Sequence, residues 1–247
     1  MKGLFIRGLS RKFGKHLALS EIDFLLAPGQ RKAVVGPNGA GKSLFGNLIA
    51  GRVRPTSGKI QFDGTYVQGL PEHSRVRAGI AKTFQVTSLF QTLTPRENIR
   101  LAVLERDGRA AMLIPPTDRS ARVEGEVMTR LADMGLTPVA DMPVRALAYG
   151  QLRLLELALT LALKPRLLIL DEPSAGIAAS DSHVIGTALA ALPPEVSILL
   201  LEHSPSRVPP SFEDVTVLVN GRVLHEGPRD TLGDVPEVRA LFRGHAS

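Results

Sequence analysis

The stretch from Val34 to Ser43, VVGPNGAGKS, decides the fold of this 247-residue chain. An apolar run that predicts a strand leads into it, and SLFGNLIA, which predicts a helix, continues from its last residue. Residues 36–43 match the pattern G-x-x-x-x-G-K-[ST] in full, and in that pattern a glycine-rich turn cradles phosphate groups. The sequence therefore predicts a phosphate loop, residues 36–43, between a strand and a helix of an α/β protein.

Each residue type in the phosphate loop has a chemical reason. Glycines let backbone N–H groups converge on phosphate oxygens, and the N-terminus of the next helix adds positive potential. Lys42 is expected to bridge the terminal phosphates, and Ser43 to supply a hydroxyl ligand to Mg²⁺. Binding of ATP or GTP follows from this interpretation. The residues expected to hold the nucleotide are Gly36, Pro37, Asn38, Gly39, Ala40, Gly41, Lys42 and Ser43.

Outside the phosphate loop, seven apolar stretches predict strands, with helical segments between the later ones. They read LFIRGL, DFLLA, KAVVG, KIQFDG, LLILDE, SILLLEH and VTVLVNGRVLHEG. Asn220-Gly221 divides the last of them into two alternating runs, which predicts a tight antiparallel hairpin. The alternation of strands and helices predicts an α/β sheet.

The middle of the chain, from about 86 to 164, lacks strand patterns and is expected to be a helical insert. Thr94, Pro95 and Glu97 have the spacing of a capping box with a proline in the first helical turn. Within the insert, RDGRAAMLIPPTDRS (residues 106–120) has no periodicity and two adjacent prolines, and is interpreted as a variable loop.

Composition excludes several other classes. Hydrophobic residues make up 44% and charged residues 22%, as in a packed globular protein, and cysteine is absent. The longest apolar run, LLELALTLAL, is too short to cross a bilayer and predicts a buried helix. The net charge is +6, but the basic residues are scattered among acidic ones, and aromatic residues are only 4% of the chain. Nucleic-acid binding is therefore not expected.

The segment RLLILDEP contains an apolar run that is typical of a strand buried on both faces, and two carboxylates follow that run. Asp171 is expected to complete the Mg²⁺ shell, and Glu172 to polarise the attacking water. His203 ends the apolar run SILLLEH, where parallel sheets place their ligands, and is interpreted as a γ-phosphate sensor. Gln85 closes IAKTFQ, and its amide is expected to reach metal or water.

The phosphate loop, TFQ, LAYGQ (residues 147–151), LLILDEP and a strand-terminal histidine, in this order, resemble the ATP-binding subunit of an ABC transporter. The resemblance covers nearly the whole chain. It implies one nucleotide-binding domain over 1–247, a P-loop NTPase core with a mixed sheet and an N-terminal antiparallel β region. The core is expected at about 1–85 and 165–247, and the inserted helical subdomain at about 86–164.

The resemblance also implies roles for single residues. Gln85 corresponds to the glutamine of the family's Q-loop, His203 to its switch histidine, and Phe13 is expected to stack on adenine. LAYGQ corresponds to the family's signature motif, and we call it the signature loop. In this family ATP lies between the phosphate loop of one subunit and the signature loop of another. The residues expected to act in trans are Ala148, Tyr149, Gly150 and Gln151.

Within the family, LFQTLTPRENI, DEPSAGI and VPEVRALFRG are most similar to subunits of importers for branched-chain amino acids and related amides. This implies ATP hydrolysis coupled to uptake of a small amide or carboxylate solute. The implied partners are a second ATPase subunit, identical or different, integral-membrane permeases contacted by about 85–97, and indirectly a solute-binding protein. The implied location is peripheral, at the cytoplasmic face of the inner membrane.

Three departures from the family pattern leave alternatives open. Ala178-Ala179 stand where Asn or Asp and then Pro are usual, Ser204 replaces an aspartate, and Leu159 replaces an arginine. One alternative is a weakly hydrolysing half of a heterodimeric ATPase. The other is an ABC-type ATPase that acts on nucleic acid or ribosomes instead of in transport.

Overall fold

The computed structural model describes residues 2–83, 89–108, 117–173, 175 and 182–242. The chain forms two compact units. The first comprises Met1–Lys82, Arg166–Glu172 and Pro193–Ser247, and the second comprises Thr83–Pro165 and Pro173–Leu192. The expected core included everything from about 165 onward, whereas Pro173–Leu192 groups with the second unit. The chain therefore leaves the first unit and returns to it twice.

The strands of the described residues all lie in the first unit. Their bounds are β1 (Leu4–Phe13), β2 (His16–Leu26), β3 (Arg31–Val35), β4 (Ser57–Phe62), β5 (Thr65–Tyr66), β6 (Ile80–Lys82), β7 (Leu167–Asp171), β8 (Ser197–Glu202), β9 (Asp214–Val219) and β10 (Arg222–Pro228). They form a four-stranded sheet in the order β2-β1-β4-β5 and a six-stranded sheet in the order β10-β9-β3-β8-β7-β6.

The two sheets confirm the predicted fold class. In the first, every neighbouring pair is antiparallel, as expected for the N-terminal β region. In the second, β3, β6, β7, β8 and β9 run parallel to one another, and only β10 is antiparallel to its neighbour, β9. The turn between β9 and β10 is Asn220-Gly221, and both residues have left-handed φ angles, 48° and 74°. The hairpin prediction is confirmed, because this turn geometry suits strand twist.

Helices occur in both units. Those of the first are α1 (Lys42–Ala50), α2 (Glu72–Arg77) and α7 (Pro236–Phe242), and those of the second are α3 (Pro95–Arg106), α4 (Thr117–Asp133), α5 (Tyr149–Ala162) and α6 (Ser182–Ala190). The Thr94 hydroxyl accepts from the Glu97 N–H and the Glu97 carboxylate from the Thr94 N–H, so the capping box is confirmed. No helix among the described residues is long and apolar enough to cross a membrane.

The expected loop over 106–120 is shorter at both ends than the sequence pattern suggested. Arg106 closes α3, and α4 already begins at Thr117. The prolines at 115 and 116 precede that helix, and proline is excluded from helix interiors but not from their starts. Residues 109–116 lie outside the described part of the chain.

The core of the first unit lies between α1 and the two sheets. Strands β7 and β8 are buried on both faces almost throughout, as their uninterrupted apolar runs predict. Phe45 of α1 meets Phe24 of β2 edge to face, with ring centroids 5.2 Å apart. The Arg75 guanidinium is fully buried and donates to the carbonyls of Leu48 and Ile49. It therefore satisfies carbonyls that the last turn of α1 leaves open.

Candidate functional site

The phosphate loop connects β3 to α1, and two of its glycines are required by geometry. A Cβ on Gly36 would lie 2.1 Å from the Leu218 carbonyl oxygen, so any side chain there would displace β9. Gly41 is the N-cap of α1 with φ at 103°, and a Cβ there would lie 2.7 Å from Leu19. Only glycine combines this left-handed backbone with so close a neighbour. The loop is thus held tightly at both ends.

Lys42 begins α1 and is only 4% exposed. Its ammonium group donates to the carbonyls of Gly36 at 2.7 Å and Pro37 at 3.1 Å, and lies 3.9 Å from a Glu172 carboxylate oxygen. Burial lowers the pKa of Lys42, and the nearby carboxylates of Glu172 and Asp171 oppose that shift. The lysine therefore already lies against the turn in which phosphate is expected.

Asp171 ends β7 and faces the phosphate loop across the sheet edge. The Ser43 hydroxyl donates to its Oδ1 at 3.0 Å, and the Lys82 ammonium donates to its Oδ2 at 2.7 Å. A hydroxyl and a carboxylate are the hard oxygen ligands that Mg²⁺ prefers. No group of three or more His, Cys, Asp or Glu in the described ranges could hold a metal alone.

Glu172 follows Asp171 with its backbone in the left-handed region, φ 47°. A non-glycine residue in that region is strained by about 1–3 kcal/mol, and such strain clusters at functional sites. The Glu172 N–H donates to the Leu201 carbonyl at 2.9 Å, which holds the turn in place. Its side chain is 35% exposed, so the carboxylate remains open to water.

His203 follows the last residue of β8, the strand between β3 and β7. Val35 and Glu202 are register partners, as are Asp171 and Leu201, so three strands end beside one another. The His203 imidazole is 27% exposed, and its Nδ1 lies 3.5 Å from the buried Glu202 carboxylate. The structure thus brings His203 to the same sheet edge as the phosphate loop and the acidic pair.

Two sequence predictions cannot be compared with the structure. Gln85 and the Ala178-Ala179 pair both lie outside the described residues. Phe13 can be located: it ends β1, the residue is 47% exposed, and the Arg11 guanidinium lies 4.4 Å from its ring centroid. The aromatic ring therefore has a cation on one face and substantial area open to solvent.

The signature loop belongs to the second unit, where it starts α5. Ala148 is the N-cap and has no side-chain acceptor to offer, while its own N–H donates to the Gln151 side chain at 3.0 Å. The Tyr149 hydroxyl donates to the Ala175 carbonyl at 3.1 Å, and Arg153 donates to the same hydroxyl at 2.8 Å. The first turn of α5 therefore presents backbone N–H groups that no side chain caps.

Lys82 is a residue of this site that the sequence analysis missed. It is a buried lysine whose ion pair with Asp171 depends on β6 and β7 lying side by side. No motif marks it, because the two residues are 89 positions apart. The one available signal was its place at the end of a short apolar run before TFQ.

Comparison with known proteins identifies the family. The sequence profile described as "ABC transporter" matches residues 19–175. The high-affinity branched-chain amino acid transport ATP-binding protein BraF of Pseudomonas aeruginosa is 34% identical over 252 residues, covering 98% of each chain. LivG of Escherichia coli, with the same description, is 32% identical over 250 residues with the same coverage. The chain belongs to the ABC transporter family.

Solved structures agree with this assignment of the fold. The ATP-binding cassette of an ABC transporter, MJ1267, in its ADP conformation has a TM-score of 0.85 and 24% identity, covering 99% of this chain and 100% of that one. Another is cbiO1 of Clostridium perfringens, part of a cbiONQ transporter complex, with a TM-score of 0.81, 25% identity and coverage of 99% and 96%.

Family membership confirms the expected activity, and this chain is an ATPase that couples ATP hydrolysis to transport. ATPases of this family bind ATP, generally with Mg²⁺. Their subunits in transport systems work as dimers with membrane permease components. The resemblance inferred from the motifs is thereby confirmed at the level of the family.

Proposed function

We propose that this chain drives uptake of branched-chain amino acids, or of a related small amide or carboxylate solute, by hydrolysing ATP for partner permeases. The observation that carries the proposal is the meeting of Lys42, Asp171 and Glu172 at one sheet edge. The solute class is supported by the printed names of BraF and LivG, which match this chain over nearly its full length.

The phosphate loop is proposed to bind the triphosphate through its backbone N–H groups and the N-terminus of α1. Lys42 is already buried against the loop and need only exchange its two carbonyl partners for phosphate oxygens. Ser43, Asp171 and Gln85 are proposed to hold Mg²⁺. When bound, Mg²⁺ supplies positive charge that orients the terminal phosphates and offsets their charge.

Glu172 is proposed as the general base. Its exposed carboxylate can accept a proton from the attacking water, and its strained backbone fixes where that carboxylate points. His203 is proposed to sense the γ-phosphate by hydrogen bonding from the end of the neighbouring strand. Phe13 is proposed to stack on adenine, supported by its exposed ring at the end of β1.

The signature loop is proposed to complete a second subunit's nucleotide site. Its support is the uncapped first turn of α5, whose N–H groups at Tyr149, Gly150 and Gln151 can donate to a phosphate. Ala148 provides the extended backbone from which that turn begins. Binding of ATP between two subunits favours association of the subunits, and hydrolysis of the ATP allows them to separate.

We propose that the chain is one nucleotide-binding domain, with a core at about 1–85 and 165–247, apart from Pro173–Leu192, and a helical subdomain at about 86–164. Its second ATPase subunit is either a copy of this chain or a different one. Permeases are proposed to contact about 85–97, where Phe90 is a large exposed apolar side chain. The complex is proposed to lie at the cytoplasmic face of the inner membrane and to receive solute from a binding protein.

The test is transport by the reconstituted complex. The chain is purified with its copurifying permeases, placed in liposomes with Mg-ATP and binding protein, and assayed for uptake of labelled leucine and, separately, glucose. We expect ATP-dependent uptake of leucine alone, and loss of uptake with Lys42→Ala. ATPase activity that nucleic acid or ribosomes stimulate, without uptake of leucine, would contradict the proposal.

A further inference from the structure

A buried cation beside Asp171 has no role in the mechanism proposed above. Lys82 ends β6, its side chain is only 5% exposed, and its ammonium group lies 2.7 Å from Asp171 Oδ2. Lysine is almost never fully buried unless it is paired. The pair therefore places one positive charge next to the carboxylate that is proposed to hold Mg²⁺.

The route of the Lys82 side chain explains a glycine inside a helix. Gly46 lies in the middle of α1, where glycine costs stability relative to alanine. A Cβ at Gly46 would lie 3.1 Å from Lys82 Cε and 2.7 Å from Leu201 Cδ1. The absence of a side chain at Gly46 thus leaves room for the lysine stem to pass against the helix that begins at Lys42.

Both carboxylate oxygens of Asp171 are engaged, by groups from different elements. Oδ1 accepts from the Ser43 hydroxyl at 3.0 Å, and Oδ2 accepts from Lys82. A carboxylate held on both sides keeps one orientation, with Oδ1 directed to the phosphate loop. The adjacent ammonium also offsets the negative charge that Asp171 brings to a site intended for an anion.

We propose that Lys82 is a positioning residue that orients Asp171 and offsets its charge, so that the site tolerates the triphosphate before Mg²⁺ is present. The inference rests on the proposed function, because it takes Asp171 and the phosphate loop as parts of one nucleotide site. Without Lys82, the Asp171 carboxylate repels Mg-free ATP more strongly than it repels Mg-ATP.

The test compares nucleotide binding with and without Mg²⁺. A fluorescent ATP analogue is titrated into the purified chain in Mg²⁺ or in EDTA. The quantity compared is the ratio of the Kd in EDTA to the Kd in Mg²⁺. Lys82→Met keeps the buried stem and removes the charge. We expect its ratio to rise on the order of tenfold, through weaker binding in EDTA, which is the scale of one unit charge acting over about 12 Å at an effective dielectric constant near 20.

Lys32→Met is the matched control. Lys32 is equally buried, in β3, and its ammonium pairs with Glu226 and the Leu25 carbonyl, away from the phosphate loop. We expect it to lower thermal stability without changing the ratio. A ratio in Lys82→Met equal to that of wild type or of Lys32→Met would overturn the inference.

Two further variants cover the remaining outcomes. The double variant Asp171→Asn with Lys82→Met removes one charge of each sign, so its Kd for ATP in EDTA should stay close to that of wild type. If Lys82→Met alone does not fold, this double variant should fold, and its failure to do so overturns the inference. Lys42→Ala tests the proposed function separately: normal nucleotide binding by that variant would refute the phosphate-loop site whatever Lys82 does.

Discussion

The phosphate loop and the signature loop are both starts of helices, yet they differ in almost every physical respect. Lys42 is buried and lies near Glu172, and the adjacent Ser43 donates a hydrogen bond to Asp171. Gly150 and its neighbours are uncharged, and no side chain caps their N–H groups. The first loop carries the charge needed to bind an anion on its own, whereas the second offers only backbone donors.

This difference explains how one chain can contain parts of two sites. A loop with a buried lysine can bind a free triphosphate, because the lysine has already lost its water on folding and only the phosphate must still be desolvated. A bare helix N-terminus contributes a much smaller stabilisation, of about 0.3–1 kcal/mol for an exposed charge. The signature loop is therefore suited to recognising a phosphate that another polypeptide already holds.

The largest expected effect tests the first loop. Glu172→Gln keeps the size of the side chain and removes the base, so turnover should fall on the order of 10³-fold while ATP binding persists. ATPase rates and equilibrium binding of ATP are measured together. We also expect the variant to form an ATP-dependent dimer on size exclusion.

Glu21→Gln is the matched control for that variant. Glu21 also has a left-handed backbone, φ 51°, but lies in β2. Any effect of losing a carboxylate at a strained position should appear there too, and we expect near-normal turnover. Unchanged turnover in Glu172→Gln would refute its assignment as the base.

A smaller effect is expected in the signature loop. Among the described residues, a Cβ at Gly150 has no atom within 4 Å apart from its chain neighbours and its own helix, and a carboxylate near a helix N-terminus is favourable within the chain. Gly150→Asp should therefore fold normally and retain ATP binding. In the assembled transporter its turnover should fall on the order of tenfold, because the new charge repels the phosphate bound by the other subunit.

Gly150→Asn separates charge from size in that experiment. It adds a side chain of the same shape without the charge, so it should lose less turnover than Gly150→Asp. Turnover in the complex and thermal melting of the isolated chain are the two measurements. Equal turnover for Gly150→Asp and wild type would contradict the proposed phosphate contact and would leave the signature loop as an ordinary helix start.

The smallest expected effect concerns the base of the nucleotide. Phe13→Ala removes the exposed ring and should weaken ATP binding by about 1 kcal/mol, roughly fivefold, with kcat unchanged. Phe13→Tyr retains an aromatic face and should bind ATP normally. The Kd for ATP is measured by equilibrium titration. An unaltered Kd in Phe13→Ala would contradict stacking of the Phe13 ring on adenine.

Local patterns were enough to predict much of the fold. The phosphate loop, the capping box at Thr94 and the turn at Asn220-Gly221 each depend on a few consecutive residues, and the structure has the predicted geometry at the last two. The uninterrupted apolar run before Asp171 likewise predicted a strand buried on both faces. The start of α4 at Thr117 was missed, because its first turn follows an aperiodic segment.

Features that depend on distant segments could not be predicted in this way. The pairing of Lys82 with Asp171 exists only because β6 and β7 are neighbours. The need for glycine at Gly46 comes from the lysine stem and Leu201, which the chain brings to α1 from two other strands. The grouping of Pro173–Leu192 with the helical unit is equally a matter of packing.

The amino-acid sequence by itself determined that a glycine-rich turn follows a strand, that two carboxylates end another, and that the family is that of ABC transporter ATPases. Those properties are encoded in adjacent residues, whose backbone preferences and charges act locally. The tertiary structure alone decided which charges meet. Strand order sets the neighbours of Asp171, and in a buried, weakly screened environment those neighbours govern how its charge acts.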